Sequence, residues 1–159
     1  DAFSVLESAA DKYGIPHNLL HVEITESALT NDLESLQNSM ERFRKAGYAL
    51  WLDDFGSGYS SLNVLKDYTF DVLKIDMKFL SSFEDNEKTK TIIESVINMA
   101  DSLGIRTLTE GVETLEQAGF LQIAGCGRLQ GYLYGKPMPL EEFRGKIEDG
   151  TYTISEKLA

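Results

Sequence analysis

The sequence predicts an α/β protein of (β/α)8 TIM-barrel-like type, here an incomplete barrel of about five parallel strands with helices. Three observations predict it. Short apolar runs alternate with amphipathic stretches of helical period along the chain, the pattern of βα units, whose strands must run parallel. Each strand closes, at its C-terminal end, on polar residues: Glu23 and Glu26, Asp53 and Asp54, Lys74 and Asp76, Glu110 and Glu113, with Gln130 in the last. Finally, five strands in 159 residues fall short of the eight strands and roughly 250 residues of a closed barrel. The alternatives are an open sheet or a chain that starts partway through a barrel. An initial helix with no strand before it favours the second.

Each element has its own signature. Phe3, Val5, Leu6, Ala9, Ala10 and Tyr13 recur at helical spacing over residues 2–13, with Gly14 as a stop and Pro16 just beyond. Residues 19–25 read as the first strand. Leu33, Leu36, Met40, Phe43 and Ala46 form one face of the next helix, ended by Gly47. The run Tyr48–Leu52 reads as a second strand that stops at Asp53-Asp54, followed by a glycine-punctuated loop and a short helix over 60–66. Residues 70–75 make a third strand. Ile92, Ile93, Val96, Ile97, Ala100 and Leu103 mark a long helix before Gly104, and residues 105–109 a fourth strand. Thr114 with Gln117 three residues on is a capping box opening a helix that stops at Gly125. A fifth strand over 129–133 carries Gln130, and a prolyl tail leads to a short closing helix.

Composition narrows the function. The apolar fraction is 42%, ordinary for a globular domain, and no run approaches the ~20 apolar residues that cross a bilayer. The start, Asp1-Ala2-Phe3-Ser4, lacks the basic region of a signal peptide. One cysteine, Cys126, excludes an internal disulfide and suits the reducing cytoplasm. The formal charge of −11 argues against polymeric nucleic acid as a partner, because that grip needs Lys and Arg to displace counterions. A small phosphate compound remains compatible where bound divalent cations reverse the local field.

The stretch Leu52-Asp53-Asp54-Phe55-Gly56-Ser57-Gly58-Tyr59-Ser60-Ser61-Leu62 carries the sharpest signal. Two adjacent carboxylates at a strand end are costly to bury unless a cation neutralises them. Alone, the stretch fits a metal-binding edge or a solvated acidic turn equally well. Polar residues at five consecutive strand ends tip the balance, since all of them share the rim where such barrels do their chemistry.

With these residues in view, the chain resembles the C-terminal part of an EAL-family domain, a family of cyclic-di-GMP phosphodiesterases named for a Glu-Ala-Leu motif. The matches are Glu23-Ile24-Thr25-Glu26-Ser27, Asp53 to Leu62, Leu73-Lys74-Ile75-Asp76, Glu110-Gly111-Val112-Glu113, and Gln130-Gly131 with Pro137 downstream. The strand bearing Glu-Ala-Leu and the strand bearing the family's metal-binding Asn are not in this sequence, so residues 1–159 correspond to about the C-terminal two-thirds of the domain. The resemblance implies hydrolysis of cyclic-di-GMP to linear pGpG with two divalent ions, Mg²⁺ or Mn²⁺. Glu23 and Asp53 would hold one ion; Asp53 and Asp54, with Glu110, the second. Lys74 would stabilise phosphoryl charge or orient water, and Glu110 is a metal ligand or a base. Gln130 and Asp76 would contact substrate. Glu26, Ser57 and Glu113 would hold the rim loops in shape.

Plainer roles stand beside these. Lys74 can be an ion pair with Asp76 or Glu110, and Glu113 a brace for the following helix. His21 lies two residues before Glu23 and so on the same face, where a satisfied core histidine is expected. Trp51 stands where the family usually has a small residue, crowding the layer beneath the metals. Loss of a neighbour on the His21–Thr25 strand leaves an open edge that invites pairing, so a homodimer or strand-sharing association is expected. A sensor or cyclase domain upstream, and a cytoplasmic setting (free or membrane-anchored), complete the expectation. The rival from another class is a non-catalytic cyclic-di-GMP receptor or dimerisation module; the acids in view are intact, which ranks it second. The isolated stretch is expected to have little activity of its own.

Overall fold

The computed structural model describes residues 1–30, 33–56, 61–76 and 87–152. Five strands form one parallel sheet: β1 (His21–Thr25), β2 (Ala49–Phe55), β3 (Val72–Ile75), β4 (Arg106–Thr109) and β5 (Arg128–Leu129). Their spatial order is their order in sequence, β1-β2-β3-β4-β5, and every pairing is parallel. Helices α1 (Ala2–Tyr13), α2 (Leu33–Lys45), α3 (Ser61–Asp67), α4 (Glu87–Ser102), α5 (Leu115–Ile123) and α6 (Leu140–Glu148) accompany them. This is the expected α/β architecture: repeated βα units feeding a single parallel sheet.

Local chemistry sets the boundaries. Asp1 caps α1 by accepting the Ser4 N–H at 2.8 Å, and Gly14 ends it in the left-handed conformation, where a side chain is strained. The capping box forms as expected: the Gln117 N–H reaches Thr114 Oγ1 at 3.2 Å, and Gln117 Oε1 accepts from the N–H groups of Glu113 and Thr114 at 2.8 and 3.2 Å.

Alternation divides the sheet into two faces. The outward set, Leu50, Leu52, Leu73 and Ile75, is fully buried. Leu50, Leu52 and Leu73 pack with Met40 and Phe43 of α2 and Val64 and Leu65 of α3; Ile75 packs with Ile93 and Ile97 of α4 and Leu121 of α5. Burying one such side chain contributes about 1.5–3 kcal/mol. The inner face holds a small apolar floor of Trp51, Val72 and Leu108, and above it the charged residues of the strand ends.

Four expectations are corrected. The first strand starts at His21, because residues 17–19 turn as a single 3₁₀ helix. The second does not stop at Leu52 but continues through both aspartates to Phe55. The fifth is only Arg128–Leu129, so Gln130 lies just past the strand. The chain must turn there: Gly131 lies so close to the Val112 backbone that a Cβ would collide with it, and Leu133 donates to Val112 O at 3.0 Å. Finally, His21 is exposed, not a core histidine. It sits on the edge strand, and its ring stacks at a tilt on Trp51, centroids 4.2 Å apart. Trp51 itself is buried on the inner face two residues before Asp53, as its spacing implied.

Candidate functional site

The aspartate pair owes its placement to a bulge. Leu52 pairs with Leu73 and Phe55 with Ile75, so three steps on β2 face two on β3. Leu52 and Phe55 both belong to the outer core, although strict alternation would put them on opposite faces. The extra residue is absorbed between them. Asp54 adopts φ 57°, a left-handed conformation that Asp tolerates better than most residues. The consequence is that Asp53 and Asp54 occupy, together, the stretch between two buried apolar anchors. Asp53 Oδ1 accepts the Asp54 N–H at 3.0 Å, which fixes the turn.

Around this bulge four predicted residues converge. Lys74 Nζ lies 2.9 Å from Glu23 Oε2, 2.9 Å from Asp53 Oδ1 and 2.9 Å from Glu110 Oε1. The three carboxylates come from β1, β2 and the end of β4, and the lysine from β3 between them. The register explains the meeting: Glu23 pairs with Trp51 and Thr25 with Asp53, while Lys74 pairs with Leu108, two residues before Glu110. Lys74 is only 6% exposed. Burial works against its ammonium, but the hydrogen bonds it donates to Glu110, Glu23 and Asp53 outweigh burial and hold it above the ordinary lysine value. The ion pair with Glu110 that a plainer reading allowed is present. It is one of three, so the lysine serves as the hub of a carboxylate ring.

The remaining predicted residues flank this hub. Glu26 is buried, opening a 3₁₀ turn after β1, and its Oε2 accepts the Gly56 N–H at 3.3 Å, tying the β1 end to the loop after Asp54. Asp76 is buried immediately after β3. Glu110, Glu113, Gln130 and Tyr132 line a cavity of about 230 Å³. Gln130 accepts the Val112 N–H through its carbonyl at 3.0 Å and donates its own N–H to Thr109 O at 2.9 Å, which stitches the β4 and β5 ends into one rim. Glu113 contributes a backbone N–H to the α5 cap, while its side chain is exposed and stands apart from the Lys74 hub. Ser57 lies outside the described residues.

Two features escaped sequence reasoning. The bulge had a legible signal, Phe55 out of phase with Leu50 and Leu52. Asp71 had none. Its carboxylate accepts the Leu50 N–H at 2.8 Å, and its backbone N–H returns to Leu50 O at 2.8 Å, locking β2 against the entry to β3.

The donor set suits a hard divalent cation. Glu23, Asp53 and Glu110 present carboxylate oxygens that share one ammonium, so any two lie no more than twice 2.9 Å apart; three acids to one lysine leave an excess of negative charge, with Asp54 adjacent. All-oxygen sites of this kind favour Mg²⁺ or Mn²⁺. Among the described residues, no group of three or more acidic, histidine or cysteine side chains is arranged to hold a metal ion; Glu23, Asp53 and Glu110 all meet the Lys74 ammonium instead.

Comparison with known proteins agrees with this geometry. A family model described as the EAL domain matches residues 1–137. The cyclic di-GMP phosphodiesterases NbdA and RocR of Pseudomonas aeruginosa are 38% and 37% identical over 138 and 132 residues, 85% and 83% of this chain. The chain spans only 18% of NbdA and 34% of RocR. The crystal structure of the EAL domain of Mycobacterium smegmatis DcpA superposes with a TM-score of 0.85 at 33% identity, covering 93% of this chain and 66% of that one. Klebsiella pneumoniae BlrP1, in a manganese and cyclic-di-GMP complex, superposes at 0.80 with 31% identity, over 86% of this chain and 35% of its own. A parallel sheet with its acids gathered on one rim, a family match over most of the length and these two superpositions lead to one conclusion: the chain belongs to the EAL domain family.

Proposed function

We propose that this chain is part of a metal-dependent phosphodiesterase that hydrolyses cyclic-di-GMP to linear pGpG. The observation that carries the reading is the Lys74 hub, an ammonium held within 2.9 Å of Glu23, Asp53 and Glu110 at the C-terminal rim of a parallel sheet. NbdA and RocR bear the name of this activity, and BlrP1 was crystallised with manganese and the cyclic dinucleotide. Glu23 and Asp53 would hold one Mg²⁺ or Mn²⁺; Asp53, Asp54 and Glu110 a second. Paired divalent ions make a bound water nucleophilic and steady both oxygens of an in-line displacement at phosphorus. The chain's own residues do the rest. Lys74 supplies a fixed positive charge for the phosphoryl oxygens, Glu110 accepts a proton from water, Gln130 and Asp76 orient substrate, and Glu26 with Ser57 and Glu113 keeps the rim loops in place.

The test is titration calorimetry with cyclic-di-GMP, with and without Mn²⁺, followed by chromatography for pGpG. It is run on this chain and on the longest product of its gene. The reading requires metal-dependent turnover in the longer protein, abolished by Glu23→Gln and Asp53→Asn, with little turnover in residues 1–159 alone. Tight binding with no pGpG at any metal concentration would instead make the protein a cyclic-di-GMP receptor.

The same reading makes residues 1–159 the C-terminal two-thirds of one barrel, in keeping with the 66% of the DcpA EAL domain that the chain covers. β1 and β5 are the two edges of the sheet, and an open edge pairs readily, so association into a homodimer or through a shared strand belongs to the proposal. Sedimentation of a strict monomer at high concentration would count against it. Among the described residues no helix is long and apolar enough to cross a membrane. The lone cysteine and the nucleotide substrate favour a cytoplasmic setting, free or attached to a membrane-anchored protein, with a sensor or cyclase domain upstream.

A further inference from the structure

We propose that Tyr152 is a positioning residue for Gln130: it bolts the end of α6 onto the turn that Gln130 begins, and so fixes the side chain that orients substrate. The inference rests on the phosphodiesterase reading, which places Gln130 at substrate. Tyr152 lies outside residues 1–137, the stretch that matches the EAL domain, so the family match gives it no role. The geometry starts at Gly135. Its φ is not positive, so the backbone there would accept a side chain without strain. Yet a Cβ at Gly135 would lie 2.5 Å from the Tyr152 hydroxyl oxygen and 3.2 Å from the ring carbon that bears it. Tyr152 is what keeps position 135 bare.

Tyr152 is itself fixed to α6. Its backbone N–H donates to Lys146 O at 2.8 Å. Its ring lies 6.1 Å from that of Phe143, tilted by 34°, and the Lys146 ammonium stands 5.6 Å from its centre, a cation–π contact. At the other end of the turn, Gly131 presses on the Val112 backbone, and Tyr134 donates to Gly131 O at 3.1 Å. The turn thus hangs between two anchors, the end of β4 and the end of α6. A cavity of about 570 Å³ lies between them, lined from the turn by Gln130, Tyr132 and Tyr134, and from α6 and beyond by Phe143, Ile147 and Tyr152. It shares Gln130, Gly131 and Tyr132 with the smaller cavity that holds Glu110 and Glu113. Loss of the Tyr152 ring frees one anchor, and a misplacement of about 1 Å at an orienting group can cost on the order of 100-fold.

The experiment is steady-state hydrolysis of cyclic-di-GMP with Mn²⁺, read as pGpG, on the longest product of the gene, with a melting temperature recorded for every variant. Tyr152→Ala is expected to raise KM on the order of tenfold with kcat held within about twofold, the mark of lost substrate binding rather than lost chemistry. Gly135→Ala should reproduce that rise by pushing the hydroxyl away. Adding Tyr152→Phe to Gly135→Ala removes the colliding oxygen and leaves only the 3.2 Å carbon contact, so the double variant should recover the wild-type KM. An unmoved KM in Tyr152→Ala, whatever its melting temperature, overturns the proposal, because the residue is then a brace and nothing more. So does a Gly135→Ala defect that Tyr152→Phe fails to relieve, and that comparison decides alone where Tyr152→Ala does not fold. A wild-type protein that binds cyclic-di-GMP without yielding pGpG sinks the hydrolase reading only; the same order of variants is then required of the calorimetric Kd. A wild-type protein that neither binds nor cleaves it overturns both.

Discussion

The two faces of the sheet are built from the same strands by alternate residues, yet they obey opposite rules. The helix-side face is uniform: Leu50, Leu52, Leu73 and Ile75 are all fully buried, and any aliphatic side chain of like volume would serve. On the inner face each residue has an individual task. Lys74 satisfies three carboxylates, Trp51 meets the His21 ring and the Arg128 guanidinium, and Asp53 braces a bulge. Stability lives on the first face and chemistry on the second, and the lesson is that a strand can carry both without compromise because its period is two.

Substitutions can break or sharpen that contrast. The largest effect is expected at Leu73→Ala, central and fully buried: a loss of about 3 kcal/mol in urea unfolding, in the middle of the range for a core truncation. Trp51→Ala comes next at about 2 kcal/mol, below the 3–5 typical of an enclosed tryptophan, because its apolar cluster is small, only Val72, Leu108 and the partly buried Ala49. A loss matching a fully enclosed ring would mean the inner face is as much a core as the outer. Lys74→Met leaves Glu23, Asp53 and Glu110 without their ammonium. Partial exposure of the acids screens the repulsion, so the cost is about 1 kcal/mol. Millimolar Mn²⁺ should restore the loss by taking the vacated charge position; indifference of the variant's melting temperature to Mn²⁺ would show that the acids cannot share a cation. The smallest effect is a slope. His21 titrates below its ordinary 6.5, so the unfolded chain takes up the proton first. Stability therefore rises with pH through the window just below 6.5 and falls as pH drops through it. His21→Gln should flatten that slope, as read from melting temperature at pH 5 to 7.5.

Much of this was legible in the sequence. Alternating leucines and isoleucines marked the strands, and polar residues at successive strand ends marked the rim, so Glu23, Asp53, Lys74 and Glu110 were named before their meeting point was visible. What alternation cannot express was not legible. The bulge adds a residue without changing the composition of β2, and β5 shrinks to two residues because Gly131 must pass against the Val112 backbone. The contact of Arg128 with Trp51 depends on the arch of the sheet, a property of all the strands at once. His21 was misjudged because a period of two specifies the face of a residue but not whether its strand lies at an edge.

The irregularity in β2 also bears on how such a domain can change over generations. Deleting one codon between Leu52 and Phe55 would restore an even strand: Leu52 and Phe55 would still meet their core partners, and the helices would still be covered. The product would fold, but with one rim acid fewer. Folding and chemistry are thus encoded in separable letters of the same seven-residue strand, and a lineage could lose the second in a single step while keeping a stable module to put to other uses.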